Sequence, residues 1–278
     1  MAAALPRVPL PVLAVQAAGF LQSVYLLKKK PWSKDPRGAW ALRGVDVTRA
    51  NIGSPQLLLA YRATALLFIV ALGAYQVHDR GFKVFAFYTV WSWWLLAAFF
   101  ALASAASYLA LRKKRPNVNR LVSRLEHAVV VFFHMNLTTV LIVDILTWTV
   151  LWPMLRANPD PKTVQAFRFL LFNFISYSQH GINALLMLGE LLLNNIPVVP
   201  YMLGYVGLWS SVYGGWALYH YMATGRWLYP FLDAMQSWSP FAYLGLFLTH
   251  WLFFGMVILL YKLKLVSWTQ LKAASKQA

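Results

Sequence analysis

Between Asn173 and Asn194, inside the run RFLLFNFISYSQHGINALLMLGELLLNN, seven residues recur at intervals of three and four: Asn173, Ser176, His180, Asn183, Met187, Glu190 and Asn194. That period puts all seven on one narrow stripe of a helix whose remaining surface is mostly Phe, Ile, Leu and Ala. A run this long and apolar has the length of a transmembrane helix, ~20 residues. In hydrocarbon a polar stripe has to face other helices or a water-filled cavity. The stripe therefore predicts a helical bundle gathered around it.

The rest of the chain agrees with a membrane setting. Of 278 residues, 60% are hydrophobic and only 12% charged, more apolar surface than a soluble domain of this length needs to bury. The net charge of +17 raises nucleic acid as a partner, but Lys and Arg cluster in the connections between hydrophobic runs, which is the topology signal of membrane proteins. Membrane lipids are the expected partners, with other membrane proteins as a second class and nucleic acid excluded. The absence of cysteine removes disulfides, thiolate metal sites and cysteine nucleophiles.

The predicted fold is an all-α polytopic membrane bundle with six spans near residues 57–77, 85–110, 127–151, 168–193, 197–220 and 241–262. Residues 1–56 form a hydrophobic segment followed by a basic cytoplasmic stretch, and 263–278 a basic cytoplasmic tail. The hydrophobic segment at 8–27 fits a seventh span, an interfacial helix or the core of a targeting signal. With six spans, eighteen basic residues fall on one side and six on the other, so both termini are expected in the cytoplasm, in a membrane the sequence does not specify. Small-residue ridges at Ala97, Ala101 and Ala105, and at Gly207, Ser211 and Gly215, are expected to be close-packing seams.

Several polar groups inside the spans have the chemistry for a site. From a rise of 1.5 Å per residue, His180 stands about 20–23 Å up span four, Asp144 about 25 Å up span three and His250 about 18 Å up span six, so the three are candidates for one layer. A His–Asp pair there would orient an imidazole as a base; the alternative is an interhelical hydrogen-bond cluster that fixes packing alone. Arg62 and Glu190 lie at similar depth, about 7 Å from the cytoplasmic end, and are expected to form a structural ion pair with His134 nearby. Asn173, Ser176 and His250 are candidates for a lipid or substrate cavity. No HExxH or clustered-histidine spacing supports zinc, and neither a metal nor a cofactor is expected. His78, His127 and His220, near span ends, are simplest as interfacial residues.

Three stretches, FAFYTVWSWWLLAAFFALAS (85–104), SYSQHGINALLMLGELLL (176–193) and TGRWLYPFLD (224–233), resemble in order and spacing the rolling stone proteins and the related androgen-induced and androgen-dependent transmembrane proteins. The resemblance covers roughly residues 57–262. For the androgen-induced branch it implies a membrane hydrolase of lipid esters with a threonine nucleophile, here matched by Thr89, and a histidine in an HGxH pattern. That pattern reads His180-Gly181-Ile182-Asn183 in this chain. An amide at Asn183 has no useful basicity, so a hydrolase would have to use His180, oriented by Asp144 or Asn183. The departure places the chain nearer the rolling stone side, for which the resemblance implies a multi-pass membrane protein acting by interaction or lipid binding in cell fusion or development. A small transporter or an accessory subunit of a membrane complex is the third reading.

Overall fold

The computed structural model describes residues 8–30, 42–112 and 123–274, with side chains described to residue 267. Among these residues the chain is helical, without a β-strand. In order come α1 (Leu10–Lys29), α2 (Gly44–Thr48), α3 (Pro55–Arg80), α4 (Tyr88–Leu111), α5 (Arg124–Leu146), α6 (Trp152–Arg156), α7 (Pro161–Leu171), α8 (Phe174–Tyr177), α9 (Asn183–Leu193), α10 (Leu203–Thr224) and α11 (Ser239–Ala274).

Five of the described helices are long and apolar enough to cross a membrane: α1, α3, α4, α5 continued through α6 to Arg156, and α11 to Ser267. Their boundaries follow local chemistry. Ser54 caps α3, its hydroxyl accepting from the Leu57 amide at 3.2 Å, with Pro55 in the first turn. The helix stops where Gly81 takes a φ of +71°. Ser123 and Glu126 form a capping box at the start of α5. Outward faces are apolar: Leu67, Leu185, Phe241 and Leu252 are each more than 60% exposed. Arg62, His134, Asn136 and Glu190 are buried. An exposed apolar belt with the polar groups turned inward is the arrangement lipid selects.

The segment at 168–193 is not one continuous helix. α7 is amphipathic, buries no residue and ends at Leu171, as an interfacial helix does. Asn173 divides the run: its Nδ2 donates to the carbonyls of Phe169 and Leu170, while its Oδ1 accepts from the Ser176 amide at 3.1 Å and caps α8. One side chain thus closes one helix and opens the next. Between α8 and α9, Ser178–Ile182 forms a π-helical turn with His180 at φ −131°, ψ 32°. The extra residue of a π turn shifts the helical phase. Ser178 and Gln179 are buried along with Ser176, His180, Asn183, Met187, Glu190 and Asn194, so the stripe is broader than a strict three-four repeat allows.

α1 packs antiparallel to α10. Leu27 and Ser23 lie against Gly204, Ser23 against Gly207, and Gln16 against Gly214. A Cβ at Gly204 would stand 2.8 Å from the Ser23 carbonyl oxygen, so glycine there sets how closely the two backbones approach. The small-residue ridges are therefore only partly seams. Gly207 is at the contact, but a Cβ at Gly215 would meet nothing within 4 Å. On α4, Ala101 and Ala105 are exposed while Ala103, Ala106 and Ser107 face the core.

The end of α1 and the end of α11 lie at opposite ends of the bundle from each other's starts. Lys30 sits over the Tyr201 ring beside the start of α10, and Lys264 donates to the Asn194 carbonyl just past α9. Val12, at the other end, shares a cluster with Tyr213, Tyr229 and Tyr243. The described start and finish of the chain consequently sit at opposite ends, because α1 runs the full length beside α10. Residues 263–274 continue α11 as helix.

Candidate functional site

A cavity opens between α1, α4, α5, α10, α11 and the loop after α10, with about 160 Å³ open to the centre of a water-sized sphere. One water needs roughly 10–15 Å³ by that measure. The lining is largely apolar, from residues such as Val15, Ile142, Val143, Leu146, Leu246 and Phe247. Its polar groups are neutral, and among the described residues no Lys, Arg, Asp or Glu contributes to the wall.

The loop sequence TGRWLYPFLD builds one side. Gly225 ends α10 at φ +69°, and its amide donates to the Tyr221 carbonyl at 2.7 Å. Trp227 folds back to stack on Tyr221 with centroids 4.0 Å apart. Pro230–Leu232 then makes a single 3₁₀ turn, which brings Tyr229, Phe231 and Leu232 to the cavity. The Tyr229 hydroxyl accepts from the Tyr88 amide at 3.0 Å, beside Thr89.

Inside the cavity, Ser210 of α10 meets His250 of α11. Ser210 Oγ lies 2.7 Å from His250 Nε2 and 2.8 Å from the Tyr88 hydroxyl. His250 Nδ1 lies 2.7 Å from the Leu246 carbonyl, one turn back on the same helix. A carbonyl only accepts, so Nδ1 carries the proton and Nε2 offers its lone pair to the serine hydroxyl. Ser210 in turn accepts from the tyrosine.

Thr89 lines this same cavity, but His180, Asn183 and Asp144 do not. Among the described residues no hydrogen bond joins Thr89 to any of the three. His180 Nδ1 is 3.0 Å from Thr147 Oγ1, and the Trp148 indole donates to the His180 carbonyl at 2.8 Å. Asn183 Nδ2 donates to Asp144 Oδ1 at 2.8 Å. The arrangement of Thr89 with His180 as its base, oriented by Asp144 or Asn183, is thus not present. The π turn aims the imidazole at Thr147, whose own residue lines the cavity, and the carboxylate is engaged by Asn183. His180, Asp144 and His250 do not converge, and the described residues hold no group of three His, Asp or Glu side chains placed to bind a metal ion.

The other expected residues separate as well. His250 lines the cavity, whereas Asn173 is a helix cap and Ser176 is buried in α8 away from it. Arg62 and Glu190 form a fully buried ion pair, Nε lying 3.1 and 3.2 Å from the two carboxylate oxygens. Arg62 Nη1 also reaches the Val47 carbonyl at 3.0 Å and Ser107 Oγ at 2.6 Å, and Glu190 accepts from Asn194 at 2.9 Å. His134 does not join this network. Its Nε2 accepts from the Val199 amide at 2.9 Å and its Nδ1 bonds the Val130 carbonyl at 2.7 Å.

Sequence reasoning missed Ser210. The available signal was its place in GLWSSVYGG, one turn from two glycines of α10, which lets a small hydroxyl reach a neighbouring helix. Comparison of the chain with protein-family profiles, with curated protein sequences and with solved structures finds no match in any of the three.

Proposed function

We propose that this is an integral membrane protein that binds a lipid in the cavity between α1, α10 and α11. The supporting observation is the wall itself: apolar over most of its area, without a charged side chain among the described residues, and carrying neutral polar groups of which Ser210, His250 and Tyr88 are joined in one hydrogen-bonded cluster. Such a site takes a chain against the apolar wall and a neutral hydrogen-bonding group at the cluster. This fits the lipid-binding role that the resemblance to rolling stone proteins implies.

In this reading α10 also crosses the membrane, because its 22 residues span about 33 Å. Its Gly, Ser, Trp and Tyr content keeps it from counting as apolar, and its neighbours shield it. The π-interrupted α8–α9 segment is a further, broken crossing. The basic end, with Lys28, Lys29, Lys30, Arg49, Arg112, Arg124, Lys262 and Lys264, faces the cytoplasm. With α1 crossing too, the start of α1 faces the opposite side.

Native mass spectrometry of protein extracted in mild detergent tests the proposal. A lipid adduct is expected on the unmodified protein and should be lost in Ser211→Trp, which fills the cavity. Bare unmodified protein, or equal adducts on both, would overturn it.

A further inference from the structure

We infer that the cavity is an esterase site in which Ser210 is the nucleophile and His250 its general base, acting on a neutral long-chain ester. The inference rests on the lipid-binding reading of the cavity and adds a reaction to it. A helical serine commonly returns its hydroxyl to the carbonyl four residues back. Ser23, Ser178 and Ser267 do so here, bonding Gly19, Phe174 and Leu263. Ser210 instead reaches across to the imidazole of another helix at 2.7 Å. The imidazole has its tautomer set by the Leu246 carbonyl. Nucleophile, base and an orienting group on the base are the three parts of an activated hydroxyl. Both Ser210 and His250 border open space, so an acyl group has room to approach.

Ser210 Oγ attacks the ester carbonyl carbon as its proton passes to His250 Nε2. The carbonyl oxygen takes the negative charge of the tetrahedral intermediate, and the Tyr88 hydroxyl, released from Ser210, donates a hydrogen bond to it. Collapse breaks the bond to the leaving alkoxide, which takes the proton from His250 and departs as an alcohol. Water then adds to the acyl-serine, giving its proton to His250. The second collapse returns that proton to Ser210 and releases the carboxylic acid. Ester and water become alcohol and acid.

The wall restricts the substrate. With no cation among the described residues that line it, a phosphate or a free carboxylate near the scissile bond would be buried without a counter-charge. An acyl ester of glycerol or another neutral alcohol carries no such group. Thr89, though it faces the same space, has Tyr229 as its neighbour rather than a base.

Full-length protein in nanodiscs is incubated with monooleoylglycerol and, separately, with a fluorophosphonate probe. Release of oleate and probe attachment at Ser210 are expected, with turnover falling about 100-fold or more in Ser210→Ala and in His250→Phe. His220→Ala, in the last turns of α10 and outside the cavity lining, keeps wild-type turnover. Because Ser210→Ala can disturb packing, Ser210→Cys provides a second readout: its thiol should be alkylated by iodoacetamide at least ten-fold faster than in Ser210→Cys/His250→Phe. An oleate ester bearing a free carboxylate beside the ester bond is expected to be a poor substrate. Turnover lost in Thr89→Ala but kept in Ser210→Ala would overturn the assignment. So would wild-type protein that retains its lipid adduct yet shows no turnover and no label, leaving lipid binding intact; absence of the adduct as well would remove both readings.

Discussion

Thr147 Oγ1 and His180 Nδ1 meet at 3.0 Å, joining two helices at the positions where each departs from α-helical geometry. Thr147 begins a π-helical turn, Thr147–Leu151, that continues α5 into α6, and His180 lies at the centre of the π turn between α8 and α9. The next residue along, Trp148, donates to the His180 carbonyl at 2.8 Å. A π turn misaligns backbone groups; the Trp148 indole supplies a partner to the His180 carbonyl, and Thr147 pairs the imidazole. Thr147→Val removes the hydroxyl and leaves the imidazole nitrogen unpaired, at a cost of about 1 kcal/mol. Thr147→Ser keeps the bond. Denaturant unfolding in detergent should rank wild type and Thr147→Ser together above Thr147→Val.

The Arg62–Glu190 pair is fully buried and ties α3 to α9, while the same guanidinium reaches α4 and the α2 segment. Removing one partner strands the other charge. Glu190→Leu and Arg62→Met should each destabilise by about 3–5 kcal/mol, and the double variant should recover much of the loss because no orphan charge remains. Arg62→Lys should fail to rescue, since a single ammonium cannot hold the fork of contacts. Unfolding midpoints of the four variants check this.

At the α1–α10 seam, Gly204→Ala places a methyl 2.8 Å from the Ser23 carbonyl oxygen, whereas Gly215→Ala meets nothing within 4 Å. The first should cost about 1–3 kcal/mol and loosen α1; the second should be neutral or slightly favourable in a helix. A cysteine cross-link between Gln16→Cys and Gly214→Cys, formed in an otherwise unmodified chain, should weaken when Gly204→Ala is added.

Asp160 caps α7, accepting from the Thr163 hydroxyl and from the Lys162 and Thr163 amides. These bonds, that from the Thr163 hydroxyl foremost, hold its carboxyl below the ordinary value of 3.8. A depressed folded-state value means the cap's contribution is present above that ordinary value and is lost as the pH falls through the folded one. Amide exchange at Lys162 and Thr163 should therefore be equally protected at pH 5 and pH 7. Asp160→Ala should speed exchange there at both.

The helical class was legible because hydropathy and helical period act locally; four of the five apolar helices stand out that way, while α1, short and with a weak polar face, reads equally as an interfacial segment. The break at Asn173 was not. An asparagine at a three-four interval belongs equally to a polar stripe or to a cap, and only the competition of its side chain with the backbone decides. The π turn at His180 escaped the helical period for a related reason, since an inserted residue changes the helical phase, and the imidazole there meets Thr147. His250 was visible as a polar group in an apolar run, but its partner stands 40 residues away on another helix. Periodicity carries no information about which two helices become neighbours, so the glycines around Ser210 mark a close approach without naming the helix it meets.

Photo-crosslinking tests lipid occupancy of the cavity most directly. Membranes containing the protein are loaded with a monoacylglycerol carrying a diazirine in its chain, irradiated, and the adducts mapped by mass spectrometry. Lipid in the cavity predicts adducts on peptides holding Val15–Gly19, Ser210–Gly214 and Leu246–His250, competed by unlabelled lipid and lost in Ser211→Trp. Adducts confined to the outward faces of α3 and α11, around Leu67 and Leu252, with no competition, would contradict it.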